Sequence, residues 1–289
     1  MTPFSAGDRR PATVLPEHAC DCHMHVFDAS QSPVPGAALT PPTATIDDYR
    51  KLQARLGNSR HVLVQPSTYG TDNSLMVSVL RRHRDTTRGV AVIDDSVTDT
   101  ELNALHAEGV VGIRFNQVQA GATTLQMLGS LAPRIAARGW HIQLHISGEQ
   151  LLEAAGLLRR LNVPIVLDHY ARLHKTPNLA RTVEQCLWEL MESGLVWLKL
   201  SAPYLSSQAK VPPYDDLAHF VLAITQQFPE RLVWGTDWPH ATEANKPDDA
   251  AMLDWLDDLL PCQKSRASIF AENPARLYGF QTQSSARDS

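Results

Sequence analysis

Eight short apolar runs, each followed by a helix-like segment, constrain this chain more than any other feature. In order they are ACDCHMHVF (19–27), HVLVQPS (61–67), GVAVIDD (89–95), GVVGIRFN (109–116), HIQLHIS (141–147), PIVLDHYA (164–171), VWLKLSAP (196–203) and LVWGTDWP (232–239). The stretches between them, such as LQMLGSLAPRIAARG and GEQLLEAAGLLRRL, carry apolar residues at three-and-four spacing, the period of an amphipathic helix. Near-continuous apolar strands alternating with helices imply a parallel sheet covered on both faces. Eight such units closing on themselves make an α/β fold, the single-domain (β/α)8 TIM barrel. An open doubly wound sheet is the alternative, but no GxGxxG or GxxxxGK[ST] follows any of the runs. The length of 289 residues suits one barrel.

The segment 1–17 reads as a flexible arm, 18–280 as the barrel and 281–289 as a flexible tail. A Pro-rich connection, DASQSPVPGAALTPPTA (28–44), follows the first run and is longer than most strand-to-helix loops, so it is expected to wall the pocket or close over it. The net charge of −5 carries no basic footprint for nucleic acid, and no apolar run approaches the roughly 18 residues of a membrane span. The N-terminus lacks the apolar stretch of a signal peptide, which suggests a cytoplasmic protein. Four cysteines make no disulfide framework; Cys186 and Cys262 read as small buried hydrophobes.

A barrel places its reactive residues at the C-terminal ends of its strands. The polar residues here fall there: His23 and His25, Gln65 and Ser67, Asp94 and Asp95, Arg114 and Asn116, His145, Asp168 and His169, Lys199 and Ser201, Asp237 and His240. Side chains alternate along a strand, so Asp21, His23 and His25 are expected to face the barrel interior, with Cys20, Cys22 and Met24 facing the helices. A bare HxH is common by chance. Together with a histidine on strand five, another on strand six and an aspartate on strand eight, it is specific.

In that combination DCHMHVFD, HIQLH, VLDHYAR, WGTDWPH and ENPARLYGF resemble the amidohydrolase superfamily, in its amidohydrolase-2 branch, over residues 18 to 280. VQPSTYGTDN and KLSAPY are most similar to the 2-pyrone-4,6-dicarboxylate lactonase group within it. The resemblance implies a hydrolase that opens a small carboxylated lactone, a dicarboxylated pyrone or a sugar-acid lactone. A metal-dependent decarboxylase, a lactone isomerase and a non-catalytic carboxylate-binding barrel are the alternatives. It further implies catalytic roles for Asp237, which would deprotonate water, for His169, which would polarise the carbonyl, and for His23 and His25. His23, His25, His145 and Asp237 would hold one divalent ion, zinc or manganese, if the enzyme uses one; metal-free action is an equal expectation. Arg114 stands where binuclear relatives carry a bridging carboxylate, so it reads as a fork for a substrate carboxylate. Arg172, Ser67, Thr68, Tyr69, Tyr204 and Ser201 complete the expected substrate seats. The expected partner is a small molecule, with no nucleic acid or membrane, and a homo-oligomer remains open.

Overall fold

The computed structural model describes residues 2–119, 121–175 and 177–281. Eight parallel strands lie in the order β1 Cys20–Met24, β2 Arg60–Val64, β3 Thr87–Ala91, β4 Val110–Asn116, β5 His141–His145, β6 Ile165–Leu167, β7 Val196–Ser201 and β8 Leu232–Gly235. A parallel bridge between Met24 and Trp238 brings the last strand's exit back to the first. The barrel is therefore nearly closed, as the eight runs predict.

The helices α1 Ile46–Leu56, α2 Ser74–Arg82, α3 Asp99–Ala107, α4 Leu128–Ala136, α5 Gly148–Leu158, α6 Ala180–Glu192, α7 Asp215–Gln227 and α8 Asp249–Asp258 alternate with the strands. Local chemistry sets several of their ends. Thr45 with Asp48, Thr98 with Glu101 and Ser147 with Gln150 form capping boxes, which satisfy otherwise orphaned N–H groups at α1, α3 and α5. Gly57 stops α1 at φ 92°, a conformation other residues reach only with strain. Two short helices, α9 Gln263–Ala267 and α10 Asn273–Tyr278, end the described chain. Among the described residues no helix is long and apolar enough to cross a membrane.

The helix-facing core joins Ile113, Phe115, Leu144, Leu167, Leu198 and Trp234 to the inner faces of the helices. A second apolar cluster fills the lower barrel interior: Val62, Val64, Val90, Val166, Trp197 and Val233, closed by Tyr278 and Phe280 from the C-terminal segment. Cys20 and Cys22 belong to this interior cluster, which corrects the expected parity of strand one. The reason is a register shift between Asp21 and Met24, where three steps along β1 match two along β2. Such a bulge re-aims side chains. Below it the cysteines point inward and Asp21 points to the helix layer, where it accepts from Tyr49 Oη of α1 at 2.9 Å. Above it the histidines enter the barrel. Gly235 makes room for the bulge: a Cβ there would sit 2.8 Å from the His23 backbone nitrogen. Cys262, expected to be buried, is exposed at the start of the surface helix α9.

The segment before β1, expected as a loose arm, lies against the fold. Trp238 Nε1 donates to Pro3 O at 2.9 Å, and the guanidinium of Arg55 gathers Ser5 Oγ, Ala6 O and Gly7 O. Of the expected tail, residues 282–289 lie outside the described residues. The Pro-rich loop is tied to the loop after β2 by Val34 N to Thr68 O and Thr68 Oγ1 to Leu39 O, and it contributes Leu39 to the cleft below.

Candidate active site

The upper end of β1 delivers two imidazoles to one point: His23 Nε2 and His25 Nε2 stand 3.2 Å apart. Asp237, just past the end of β8, puts Oδ1 3.5 Å from each of them. His169, after β6, brings Nε2 to 3.8 Å from the same oxygen. All four residues are buried. Burial pushes the imidazoles of His23 and His169 down. Burial alone would push the Asp237 carboxyl up, but the surrounding histidines outweigh it and hold the group well below the usual carboxylate range.

Each of these groups is oriented from behind. His25 Nδ1 lies 2.7 Å from Val64 O, which makes Nδ1 the donor and turns the Nε2 lone pair toward the cluster. His169 Nδ1 contacts Ser201 Oγ at 2.9 Å. Tyr204 Oη donates to Asp237 Oδ2 at 2.8 Å and also meets His240 Nδ1 at 2.9 Å, while His240 Nε2 faces Asp249 Oδ2 at 3.1 Å. Asp237 Oδ2 is thereby occupied, leaving Oδ1 as the oxygen presented to the histidines.

Beneath His23 sits a fully buried ion pair, Lys199 Nζ to Asp168 Oδ1 at 3.2 Å. Lys199 Nζ is also 3.2 Å from His23 Nδ1, and Asp168 Oδ1 is 3.3 Å from that same nitrogen. Gln143 Nε2 donates to Asp168 Oδ2 at 3.0 Å. Burial would push the Asp168 carboxyl up, yet Lys199 and His23 hold it well below its ordinary value.

Backbone strain concentrates at this end of the barrel. His169, Tyr170, Ala171 and Arg172 form a left-handed turn with φ between 51° and 54°, and Ala202, Asp237 and His240 also have positive φ. Each such L-residue costs roughly 1–2 kcal/mol, so packing elsewhere must hold the turn. Its effect is to bring His169 under Asp237 while Arg172 Nη1 reaches His145 Nε2 at 3.3 Å.

The cleft above the cluster has two unlike walls. Phe27, Leu39, Leu205 and Ala241 are apolar; Ser67, Thr68, Arg114, Asn116 and Gln119 are polar. Arg114 is buried, gives Nη1 to Gln65 O at 3.2 Å and leaves Nε without a hydrogen-bond partner. That Nε stands 4.0 Å from the buried Asp168 Oδ2, and a guanidinium lining the cleft is suited to an incoming carboxylate. Asn116 Nδ2 donates to Ser67 Oγ at 3.0 Å and so braces this wall. A wider groove outside the barrel, lined by Arg81, Asp94 and Glu101, contains none of the His/Asp cluster.

Most of the residues expected from sequence converge here, but five are engaged elsewhere, among them Arg172, which is turned to His145 and lies outside the cleft lining. Ser201 and Tyr204 are buried behind His169 and Asp237, and their hydroxyls are engaged by those residues. Tyr69 is directed at the Pro-rich loop, where its Oη accepts from Asp28 N at 2.9 Å and donates to Asp28 O. His145 belongs to neither ligand group below: its Nε2 acceptor already faces Arg172, and its Nδ1 has no partner. Conversely Lys199, Asp168 and His240 matter more than their strand-end positions indicate, as does Gln143 in the middle of β5. The available signal was a lysine inside the apolar run VWLKLS, since a charge on a fully buried strand must be paired.

The donor set fits one divalent ion. Ligand atoms of His23, His25 and Asp237 lie within 4.8 Å of one another, and those of His23, Asp168 and His169 form a second such group. Two imidazoles and a carboxylate suit zinc or manganese chemistry. The tautomer of His23 decides whether its lone pair is available. If Asp168 accepts from His23 Nδ1–H, Nε2 is free to ligate; if Lys199 donates to Nδ1, Nε2–H instead donates to His25.

The family model described as amidohydrolase matches residues 20–280. The chain is 32% identical to the 2-pyrone-4,6-dicarboxylate hydrolase of Comamonas testosteroni, with 94% of both chains covered. It is 30% identical to the D-galactarolactone isomerase of Agrobacterium fabrum, with 93% of each covered. A crystal structure of a probable 2-pyrone-4,6-dicarboxylic acid hydrolase from Acinetobacter baumannii, with citric acid bound, superposes with a TM-score of 0.83 at 25% identity, covering 91% of this chain and all of the other. The barrel, the histidine and aspartate positions at its upper rim and this end-to-end match agree: the chain belongs to the amidohydrolase family.

Proposed function

We propose that this protein hydrolyses a small carboxylated lactone, a dicarboxylated pyrone or a related sugar-acid lactone. The observation that carries the reading is Asp237 Oδ1, an ionised carboxylate oxygen within 3.8 Å of His23, His25 and His169 at the floor of a cleft walled by Arg114. Arg114 binds a substrate carboxylate, and the planar ring lies against Phe27 and Leu39. Asp237 takes a proton from water as its oxygen attacks the lactone carbonyl, and His169 supports the charge that develops on the carbonyl oxygen. The ring C–O bond then breaks, and the proton held by Asp237 passes to the departing oxygen. His23, His25 and Asp237 would hold a divalent zinc or manganese ion; when bound, such an ion lowers the pKa of water toward 7.

Arg114→Met tests the carboxylate seat. We expect kcat/KM for carboxylated lactones to fall about 100-fold, mainly through KM, with little change for an uncharged lactone. An equal loss for both substrates would remove Arg114 from recognition. The reaction itself is tested by a lactone panel assayed with and without chelator, with metal content measured on the same sample. Appearance of a ring-opened acid supports hydrolysis. The isomerase relative makes one rival specific: conversion to an isomeric lactone without net uptake of water would replace hydrolysis by isomerisation. Release of carbon dioxide would point instead to a decarboxylase.

A further inference from the structure

The loop that presents Asp237 is not held by the barrel alone. Asp237 and His240 both have left-handed backbones, and Trp238 lies fully buried between them. From the barrel side, Asp237 N donates to His23 O and His25 N to Trp238 O, each at 2.8 Å. The other side of Trp238 meets the N-terminal arm. Its indole N–H donates to Pro3 O at 2.9 Å, and the Phe4 ring packs against it at 81° and 5.6 Å. The arm reaches the back of the site a second time at Ser5, whose Oγ accepts from Asp249 N at 3.4 Å. Asp249 is the partner of His240, which meets the tyrosine bound to Asp237 Oδ2. Arg55 fixes the arm in this place: besides its three arm contacts it pairs with Asp248 at 2.8 Å, and Ala6 N donates to Pro247 O. Residues 3–7 precede the family match at residue 20.

We propose that residues 3–7 are a positioning strap for the catalytic loop: Pro3, Phe4 and Ser5 hold Trp238 and Asp249, and through them the carboxylate of Asp237, in working geometry. This rests on the reading of Asp237 as the general base. The strap touches neither substrate nor the reacting atoms, so its removal should affect turnover more than binding.

The test compares the full chain with a variant lacking residues 2–7 and, in case that variant folds poorly, with Phe4→Ala and Trp238→Phe. Activity is measured well below each protein's Tm, and backbone hydrogen exchange is followed across the barrel. Misplacing a catalytic group by about an ångström costs about 100-fold in rate, so we expect kcat of the truncated enzyme to fall by about that factor while KM stays within about threefold. Hydrogen exchange should rise selectively at residues 236–241, and the point variants should show smaller changes of the same kind. Unchanged kcat with unchanged exchange at 236–241 would overturn the proposal. So would exchange rising uniformly over the whole barrel, because the arm would then merely add stability. If the wild-type chain opens no lactone, the proposed function fails, while the exchange measurement still reports on the strap.

Discussion

Asp237→Asn should lower kcat/KM for lactone opening on the order of 1000-fold while leaving the barrel intact. The substitution keeps size and shape and removes only the ability to accept a proton at Oδ1. An asparagine can still present its carbonyl oxygen to Tyr204 Oη, so the tie from behind survives. The expected cost in stability is therefore small, with Tm moving by less than about 4 °C. The loss should appear in kcat with KM nearly constant, because Asp237 acts on water rather than on the bound lactone. Since Asp237 is held well below the usual carboxylate range, this group should stay ionised as pH falls through that range, and its protonation should remove the base only below it. Running wild type and variant in chelator as well as in added zinc or manganese separates loss of the base from loss of a metal ligand. Full activity in Asp237→Asn under every condition would sink the mechanism.

What could be read from sequence divides along physical lines. Strand number, strand order and the rim position of His23, His25, Arg114, His169 and Asp237 were legible because burial imposes apolar runs and barrels place polar residues at strand ends. The facing of strand one was not. Parity assumes an unbroken register, and the bulge between Asp21 and Met24 is a property of the β1–β2 pairing that strand one does not encode alone. The left-handed turn at His169–Arg172 was equally silent, since neither glycine nor asparagine marks it. Tyr204 and Ser201 were correctly placed near the site but assigned to substrate, because spacing alone cannot tell a side chain that faces a cleft from one that faces the residue lining it. The arm's docking depends on Arg55 and Trp238, which are 48 or more residues away in sequence from the carbonyls they bind.

The largest effect on stability is expected at Lys199, below the site. Lys199→Met keeps most of the side-chain volume and removes a charge buried against Asp168 and His23. Asp168 would keep its hydrogen bond from Gln143, but the nearest remaining cation is Arg114, whose Nε lies 4.0 Å from Oδ2. Removing one partner of a buried pair costs about 3–5 kcal/mol, because the other charge stays in a poorly solvating interior. In a chain of this size that corresponds to a fall in Tm of roughly 10 °C. Asp168→Asn should cost a comparable amount by stranding the ammonium. The double variant, which buries no unpaired charge, should be more stable than the sum of the single losses predicts, by about 2 kcal/mol. The pH dependence has a definite sign. In the wild type the depressed Asp168 pKa contributes stability that is present above about pH 4 and lost as pH falls toward the folded value. In Lys199→Met that contribution is gone and burial pushes the carboxyl up, so the deficit relative to wild type should be largest at neutral pH and shrink on acidification. Denaturant unfolding of the four proteins at two pH values measures both effects. Strictly additive losses, or a deficit that grows as pH falls, would mean that Lys199 does not compensate Asp168 and that the barrel floor is held by packing alone.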